Sequence, residues 1–441
     1  MLHSQEKLTP EQKQMARRRR ILQGRAAQGI CILAAFAAIS LFAAGWLLLR
    51  QDRTFSDSEN RMLAQKPAPT LASLADGSFA EGLERWYADQ FPGRDLWITA
   101  DLTFQRALGV REMNGVYLGA DGYLLEAPAQ EDAAQLGQTE AAICAFAAQH
   151  PDIRLTAAIV PNAWGVLSEK LPAGAPVEDQ KALIDAIDQA MPDVRTANLT
   201  EALRSRRSEP LYYRTDHHWT SLAARYAFET LSAQLDLQPV RSYTVYPVSD
   251  SFEGTLAAKT GSHAALDTIE IYVPDTDVQY AVTYADTQTT ICSLYDRAKL
   301  AEKNQYEVFF GGNHARVDIQ TTADTGRTLL LLKDSYANCF VQFLTPYYDR
   351  ILMIDPRYFY DDLGALLRRE RVTDALILYN YNTFVQDHAL SVVLQSALFD
   401  EGERNRRYRR KAQNRGRKFC CFEQKIMKIP LDTKGDLLYD I

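Results

Sequence analysis

Residues 328–338 read Thr-Leu-Leu-Leu-Leu-Lys-Asp-Ser-Tyr-Ala-Asn. The apolar run Thr328 to Leu332 has the length of a strand, and the residues from about Tyr336 to Phe343 read as a helix. Ser335 therefore falls at the carboxyl end of a strand, on a strand-to-helix turn, where α/β sheets present ligands. A serine hydroxyl is a weak nucleophile until a neighbouring imidazole takes its proton. That imidazole works best when a carboxylate fixes its tautomer. Residues 216–219 read Asp-His-His-Trp and offer one carboxylate and two imidazoles. The chain thus holds all three parts of a Ser-His-Asp relay.

Working outward, strands and helices alternate. Arg154 to Val160 reads as a strand, Gln180 to Ala190 as a helix and Val194 to Asn198 as a strand. A helix from Thr220 to about Leu235 follows the Asp-His-His-Trp segment. After the serine come strands at Arg350 to Ile354 and Ala375 to Tyr379, a helix at Asp362 to Arg369 between them, and a closing helix at His388 to Leu398. This order predicts an α/β fold with a parallel sheet and helices on both faces. Tyr379 and Asn380 also fall at a strand carboxyl end. Ahead of the alternation, helices are expected over Phe79 to Asp89, Leu96 to Leu108 and Gln138 to Gln149. A hairpin over Gly115 to Leu125 turns at Ala120-Asp121-Gly122. Residues 237–312 do not fit the pattern. Their short β-rich pieces, such as Ile269 to Val273 and Gln279 to Thr283, read as an inserted excursion that partly covers the site.

The 441 residues carry a formal net charge of -7, unevenly spread: +5 on residues 1–28 and +9 on residues 404–418, which leaves -21 on the rest. A body that acidic repels polyanions, so no nucleic-acid partner is expected. Ile30 to Leu49 is uncharged and long enough to span a bilayer as a helix. Arg17 to Arg20 and Arg25 precede it, which puts the N-terminus in the cytoplasm and the rest outside. The division expected is a basic cytoplasmic segment at 1–29, a transmembrane signal anchor at 30–49, a stalk at 50–80, an extracytoplasmic domain at 81–400 and a basic tail at 401–441. A cleaved signal peptide, ending near Ala43-Ala44-Gly45, is the rival reading of the apolar run. Of six cysteines, only Cys144, Cys292 and Cys339 fall in the globular part, an odd number without metal-like spacing; they read as buried free thiols, with one disulfide pair among them as the alternative.

Each candidate has a bland alternative. On an extended segment Asp216 and His218 point to one side, so the carboxylate can back the imidazole that faces Ser335. Asp216 can equally cap the helix that starts near Thr220, or form a metal site with His217 and His218. The amides of Ser335 and Tyr336, at a helix N-terminus, suit a developing oxyanion; a plain Asp334/Ser335 cap is the alternative. Gly311-Gly312-Asn313-His314 reads as a turn before the nucleophile strand. Trp164 and Trp219 are aromatic rings that either stack on sugars or fill the core.

Asp216-His217-His218-Trp219, followed much later by a strand ending in Lys333-Asp334-Ser335-Tyr336, resembles the DHHW proteins. These are relatives of the alginate-type O-acetyltransferases with an SGNH-hydrolase-like fold. Ser58-Glu59-Asn60-Arg61, Asp89-Gln90-Phe91-Pro92-Gly93-Arg94 and Val116 to Leu124 (Val-Tyr-Leu-Gly-Ala-Asp-Gly-Tyr-Leu) are similar to the same family, and the resemblance covers roughly residues 55–398. It implies a flavodoxin-like sheet and the permuted order in which acid and base precede the serine. Asp216 and His218 then match the relay positions and His217 the variable one. It further implies that Arg357 shapes the site and that Asn380 or Asn382 donates to an oxyanion. A basic residue that the resemblance places after Pro161-Asn162 is replaced by Ala163-Trp164, a departure from the family pattern at a position of acceptor contact.

The function implied is a membrane-anchored, extracytoplasmic O-acetyltransferase acting on a polysaccharide or cell-envelope glycan through an acetyl-serine. It would need no cofactor or metal. Its partners would be a glycan acceptor and a membrane-bound O-acyltransferase that brings acetyl across the bilayer. An acetylesterase with the same residues and a non-catalytic glycan-binding or assembly protein are the alternatives.

Overall fold

The computed structural model describes residues 10–56, 61–238 and 242–398. The basic tail at 401–441 and Ser58-Glu59-Asn60 lie outside the described residues. The centre is an eight-stranded sheet. Its strands are β4 (Arg154–Val160), β5 (Arg195–Thr196), β8 (Tyr280–Tyr284), β9 (Thr289–Ile291), β10 (Arg316–Thr321), β11 (Thr328–Lys333), β12 (Arg350–Ile354) and β13 (Asp374–Asn380). They lie in the order β9-β8-β10-β12-β11-β13-β4-β5. From β12 to β5 all neighbours are parallel, with β11 between β12 and β13.

Leu329 to Leu332 of β11 are each fully buried, and β13 is buried along its whole length. Successive strand residues point to opposite faces, so both faces are covered. Two helix groups provide that cover. One contains α4 (Ala133–Gln149), α10 (Leu363–Glu370) and α11 (Ala389–Ala397). The other contains α6 (Thr200–Arg204), α7 (Ser221–Leu231) and α9 (Ala337–Phe340). Each leucine of β11 so buried contributes about 1.5–3 kcal/mol, which fixes the strand that ends at Ser335.

The sheet is mixed, where a wholly parallel one was expected. β10, β8 and β9 extend the β12 edge as antiparallel strands. Connection length is the reason. Only residues 322–327 join β10 to β11, and a parallel crossover needs a dozen residues or more. Tyr280–Tyr284, read from sequence as part of an excursion, is thus built into the main sheet. What projects instead is an antiparallel hairpin of β6 (Tyr243–Phe252) and β7 (Asp267–Pro274), with the short helix α8 (Thr255–Thr260) between its strands. A small sheet of β1 (Glu112–Met113), β2 (Val116–Leu118) and β3 (Leu124–Glu126) carries the expected turn, with Asp121 and Gly122 at positive φ.

At the N-terminal end, α1 (Pro10–Leu49) contains Gln23–Leu47, with mean hydropathy 2.3, the one helix among the described residues long and apolar enough to cross a membrane. Ile30, Ile32, Leu33 and Phe36 are exposed along it. The apolar stretch does not pack into the core of the described residues. The segment expected as a stalk folds back on α2 (Ser78–Gln90). The Trp86 indole donates to Asp52 at 2.8 Å, the Arg53 amide to Gln90 at 2.9 Å and the Ala64 amide to Asp89 at 2.8 Å. Cys31, Cys144, Cys292 and Cys339 are free thiols, but of the three expected to be buried only Cys339 is; Cys144 is half-buried and Cys292, just past the edge strand β9, is exposed.

Candidate active site

β11 ends at Lys333, and Ser335 stands on the turn before α9, half-buried. Asp216 and His218 arrive on the loop that precedes α7. Tyr336 ties the two segments together, its hydroxyl donating to the His217 carbonyl while its own carbonyl accepts the Trp219 indole N–H at 2.9 Å. Tyr336 and Trp219 are both fully buried. The two short motifs are thus fastened to each other by their aromatic members.

Held this way, His218 Nδ1 lies 2.5 Å from Asp216 Oδ1, and His218 Nε2 lies 2.8 Å from Ser335 Oγ. An ionised carboxylate only accepts, so Nδ1 carries the proton and Nε2 offers its lone pair to the serine. Asp216 accepts four donors. Oδ1 takes His218 Nδ1–H and the His218 amide, the latter at 2.9 Å. Oδ2 takes the Thr255 amide at 2.7 Å and the Thr255 hydroxyl at 2.9 Å. Burial pushes the Asp216 pKa upward, but the His217 and His218 rings and these donors outweigh it and hold the carboxyl below its ordinary range. Burial, and then the neighbouring His217, lower His218 to about 4 against the pull of Asp216. At neutral pH His218 is therefore the neutral, proton-accepting imidazole.

Asp216 does not cap α7; Thr220 does, its hydroxyl accepting from the Ala223 amide. A cation held by Asp216, His217 and His218, whose ligand atoms lie within 4.8 Å of one another, would have to displace the His218 and Thr255 donors from the carboxylate. The donor set fits a proton relay better than a metal.

His217 is placed by a second chain of bonds. Its Nδ1 is 2.7 Å from the Thr255 hydroxyl. That hydroxyl has one proton and gives it to Asp216, so it accepts from His217. His217 thus carries its proton on Nδ1 and turns Nε2 away from the acid. Its ring lies against His218 with centroids 3.9 Å apart. On the other side Tyr306 stacks on His218 at 3.8 Å and donates its hydroxyl to the Ser335 carbonyl at 3.0 Å.

The oxyanion donors expected from the turn are only partly free. The Tyr336 amide donates to Asp334 Oδ1 at 2.9 Å. The Ser335 amide makes no hydrogen bond among the described residues. Asp334 is fully buried, which raises its pKa to about 6 against the hydrogen bond from the Asn380 amide. Asn380 spends its side-chain N–H groups on Asp334 and Thr383. Asn382 donates to Ala127 and Glu126 and accepts from Ala129. Neither asparagine has a spare donor in this arrangement. Lys333 is buried and holds Asn313, Asn338 and Asp355, so the Gly311-Gly312 turn serves to bring Asn313 under the nucleophile strand.

Arg357 is clamped in bidentate fashion on Asp355, at 2.8 and 2.6 Å. It also forms part of the wall of a cavity of about 710 Å³, together with Glu126, Lys259, Asn382, Gln386 and His388. None of Asp216, His218 and Ser335 lines the cavity; its link to them is Glu126, which acts electrostatically with His217 and His218. Against the upward push of burial, the neighbouring His217 ring and then the Lys259 ammonium hold the Glu126 carboxyl below its ordinary range. Arg357 and Asn382 thus line this cavity, whereas Tyr336 and Asn380 do not and are buried. Trp164 and Trp219 are core residues, 1% and 0% exposed, and present no face to a ligand. Sequence reasoning missed Thr255, Tyr306 and Glu126, none of which sits in a recognisable motif.

Comparison with known proteins bears on the family and the fold. Residues 172–354 match the family model of the DHHW proteins. The chain resembles that family. A crystal structure of a DHHW family protein from Eubacterium siraeum is similar at TM-score 0.57 and 23% identity, covering 66% of this chain and 98% of that one. Bacillus cereus PatB1 is similar at TM-score 0.51 and 19% identity, covering 61% and 96%. PatB1 with a sulfonyl adduct gives TM-score 0.50 at 19% identity, covering 62% and 98%. No curated protein matches the sequence. The DHHW likeness thus extends from the two motifs to the fold over 66% of this chain, and the segment matched by the family model includes Asp216, His218 and Ser335.

Proposed function

We propose that this chain is a membrane-anchored O-acetyltransferase that passes acetyl from Ser335 to a hydroxyl of a cell-envelope glycan. The observation that carries the reading is the continuous hydrogen-bond chain from Asp216 through His218 to Ser335. The acyl class comes from the resemblance to the alginate-type O-acetyltransferases. In the first half, Ser335 Oγ attacks the donor's acetyl carbonyl while its proton passes to His218 Nε2. The oxyanion forms beside the Ser335 amide, and the carbonyl reforms as the donor's leaving oxygen takes the proton from His218. In the second half, an acceptor hydroxyl gives its proton to His218 and attacks the acetyl-serine. A sugar ester forms, and Ser335 recovers its proton. Asp216 stays ionised throughout and stabilises the imidazolium that appears twice.

The cavity wall carries the charged groups of Arg357, Glu126 and Lys259, which can hydrogen-bond a hydroxyl-rich acceptor. Its groups on this reading orient the acceptor, and Arg357 is positioned by Asp355 for that role. Because the glycan lies outside, the acetyl donor is a membrane-bound O-acyltransferase that moves acetyl across the bilayer. N-terminal anchoring through α1, with the catalytic domain extracytoplasmic, belongs to the same reading.

The test is covalent. The full chain treated with an activated acetyl ester or an aryl sulfonyl fluoride should gain one acetyl or sulfonyl group on Ser335, located by peptide mass spectrometry. Ser335→Ala should lose both adduct and turnover. Adduct formation undiminished in Ser335→Ala sinks the proposal. Running the ester with and without glycan oligosaccharides separates transfer from hydrolysis: faster release with acceptor, and acetylated sugar, mark a transferase.

A further inference from the structure

Helix α3 (Arg94–Ala107) has two apolar faces and only one is packed. Leu102 is buried, and Ile98 and Leu102 sit against Gly261, where an added Cβ would come within 3.2 Å of Ile98. The other face shows Leu96, Trp97, Phe104 and Leu108, which are 72%, 58%, 62% and 68% exposed. At 3.6 residues per turn, Trp97, Ala100, Phe104 and Leu108 line up in one stripe, with Leu96 and Ala107 on its flank, a sector roughly a third of the circumference wide. No charged side chain falls inside that sector. Thr99, Thr103 and Arg106 take the next part of the circle.

This stripe adjoins the end of the membrane-crossing helix. Trp46, Leu47 and Arg50 of α1 line one crevice with Phe91 and Leu96, and Arg53 pairs with Asp95 at 3.5 Å. A tryptophan and an arginine at the end of an apolar helix mark the lipid headgroup level. Leu96 lies at that level because it shares their crevice.

We infer that α3 is an interfacial helix, lying in the headgroup–acyl boundary of the bilayer beside α1, with the Trp97–Phe104–Leu108 stripe in the lipid. The lipid surface is favoured over a protein by continuity with the end of α1 and by a sector without polar specificity. The inner face of α3 then ties the membrane to the relay. It packs on Gly261 at one end of α8, and the other end of α8 supplies Thr255 to Asp216. Helix α8 is only about 9 Å long, so the serine chemistry is held close to the surface from which acetyl must emerge. This rests on the membrane reading of α1.

The test uses the full chain in vesicles of phosphatidylethanolamine and phosphatidylglycerol, with a diazirine amino acid placed singly at Phe36, Trp97, Thr99 or Phe104. Irradiation should give phospholipid adducts at positions 97 and 104 and none at 99. Position 36, within α1, reports the membrane reading by itself: no lipid adduct there overturns that reading and this one together. Lipid at 36 with none at 97 and 104 overturns the interfacial helix alone. In native membranes, adducts at 97 and 104 exclusively to a protein overturn the lipid assignment in favour of a docked partner. Trp97→Glu combined with Phe104→Glu gives a second reading: hydrogen exchange of residues 96–108 should rise at least several-fold in vesicles. Unchanged exchange contradicts lipid burial.

Discussion

Two regions hold the carboxylate of Asp216, and they differ in kind. The first is the pair of motif segments at 216–219 and 333–336, where the proposed acid, base and nucleophile and the fastening residues Trp219 and Tyr336 all lie within two four-residue stretches. The second is the hairpin arm at 243–274, which carries no motif yet provides half of the acid's hydrogen bonds through Thr255. Gly254 lets that arm approach: a Cβ at position 254 would lie 2.2 Å from the Asp216 Cβ and 2.4 Å from Oδ2. From the same arm, Asp267 accepts the Thr215 amide at 2.8 Å and its hydroxyl at 2.6 Å, fixing the residue next to the acid. On the proposed mechanism the chemistry belongs to the motif segments, and a distant hairpin holds the carboxylate in line.

The comparison is broken most severely at Asp216 itself. Asp216→Asn keeps size and shape but removes the charge and misdirects the His218 tautomer. Adduct formation on Ser335 should slow by roughly 10⁴-fold, the loss seen in a comparable triad, with thermal unfolding little changed. A loss under ten-fold would mean that His218 is oriented by something else. Gly254→Ala tests the arm. The methyl has no room, so Thr255 and the carboxylate must separate, and a misplacement of about 1 Å costs on the order of 10²-fold. Wild-type kinetics with an intact fold would show that the arm is only a scaffold.

This division also explains what the sequence could and could not reveal. Strand β11 and the serine after it were legible because an unbroken leucine run has few other uses, and Asp216 with His218 because their chemistry sits two residues apart. The mixed sheet was harder. Nothing in Tyr280–Tyr284 distinguishes an edge strand of the main sheet from a strand of a separate hairpin; the six residues between β10 and β11 were the available signal. The Tyr336 amide reads as free until Asp334 is seen to fold back on it. Asn380 looks like a loop donor until its partner is seen to be Asp334, 46 residues away. Thr255 and Tyr306 reach the site only by tertiary contact, which a single chain read in order does not disclose.

The smallest expected effect is the most informative about His217. Thr255→Val preserves shape and the amide donor but deletes the hydroxyl that links His217 Nδ1 to Asp216 Oδ2. One hydrogen bond to a charged group, worth about 1.5–3 kcal/mol, is lost from the carboxylate, so adduct formation should slow on the order of ten-fold. The pH profile should move as well. His218 must be neutral to accept the serine proton, and burial beside His217 lowers it to about 4. The wild-type rate therefore falls as pH drops through about 4 and is flat above. With Oδ2 less satisfied, the carboxylate holds the His218 proton more strongly, and the acid limb moves to higher pH. Thr255→Ser, which keeps the hydroxyl, should restore both rate and limb. A slower Thr255→Val with an unmoved limb would make Thr255 a packing residue, and His217 a bystander whose change to Ala leaves the profile as it was.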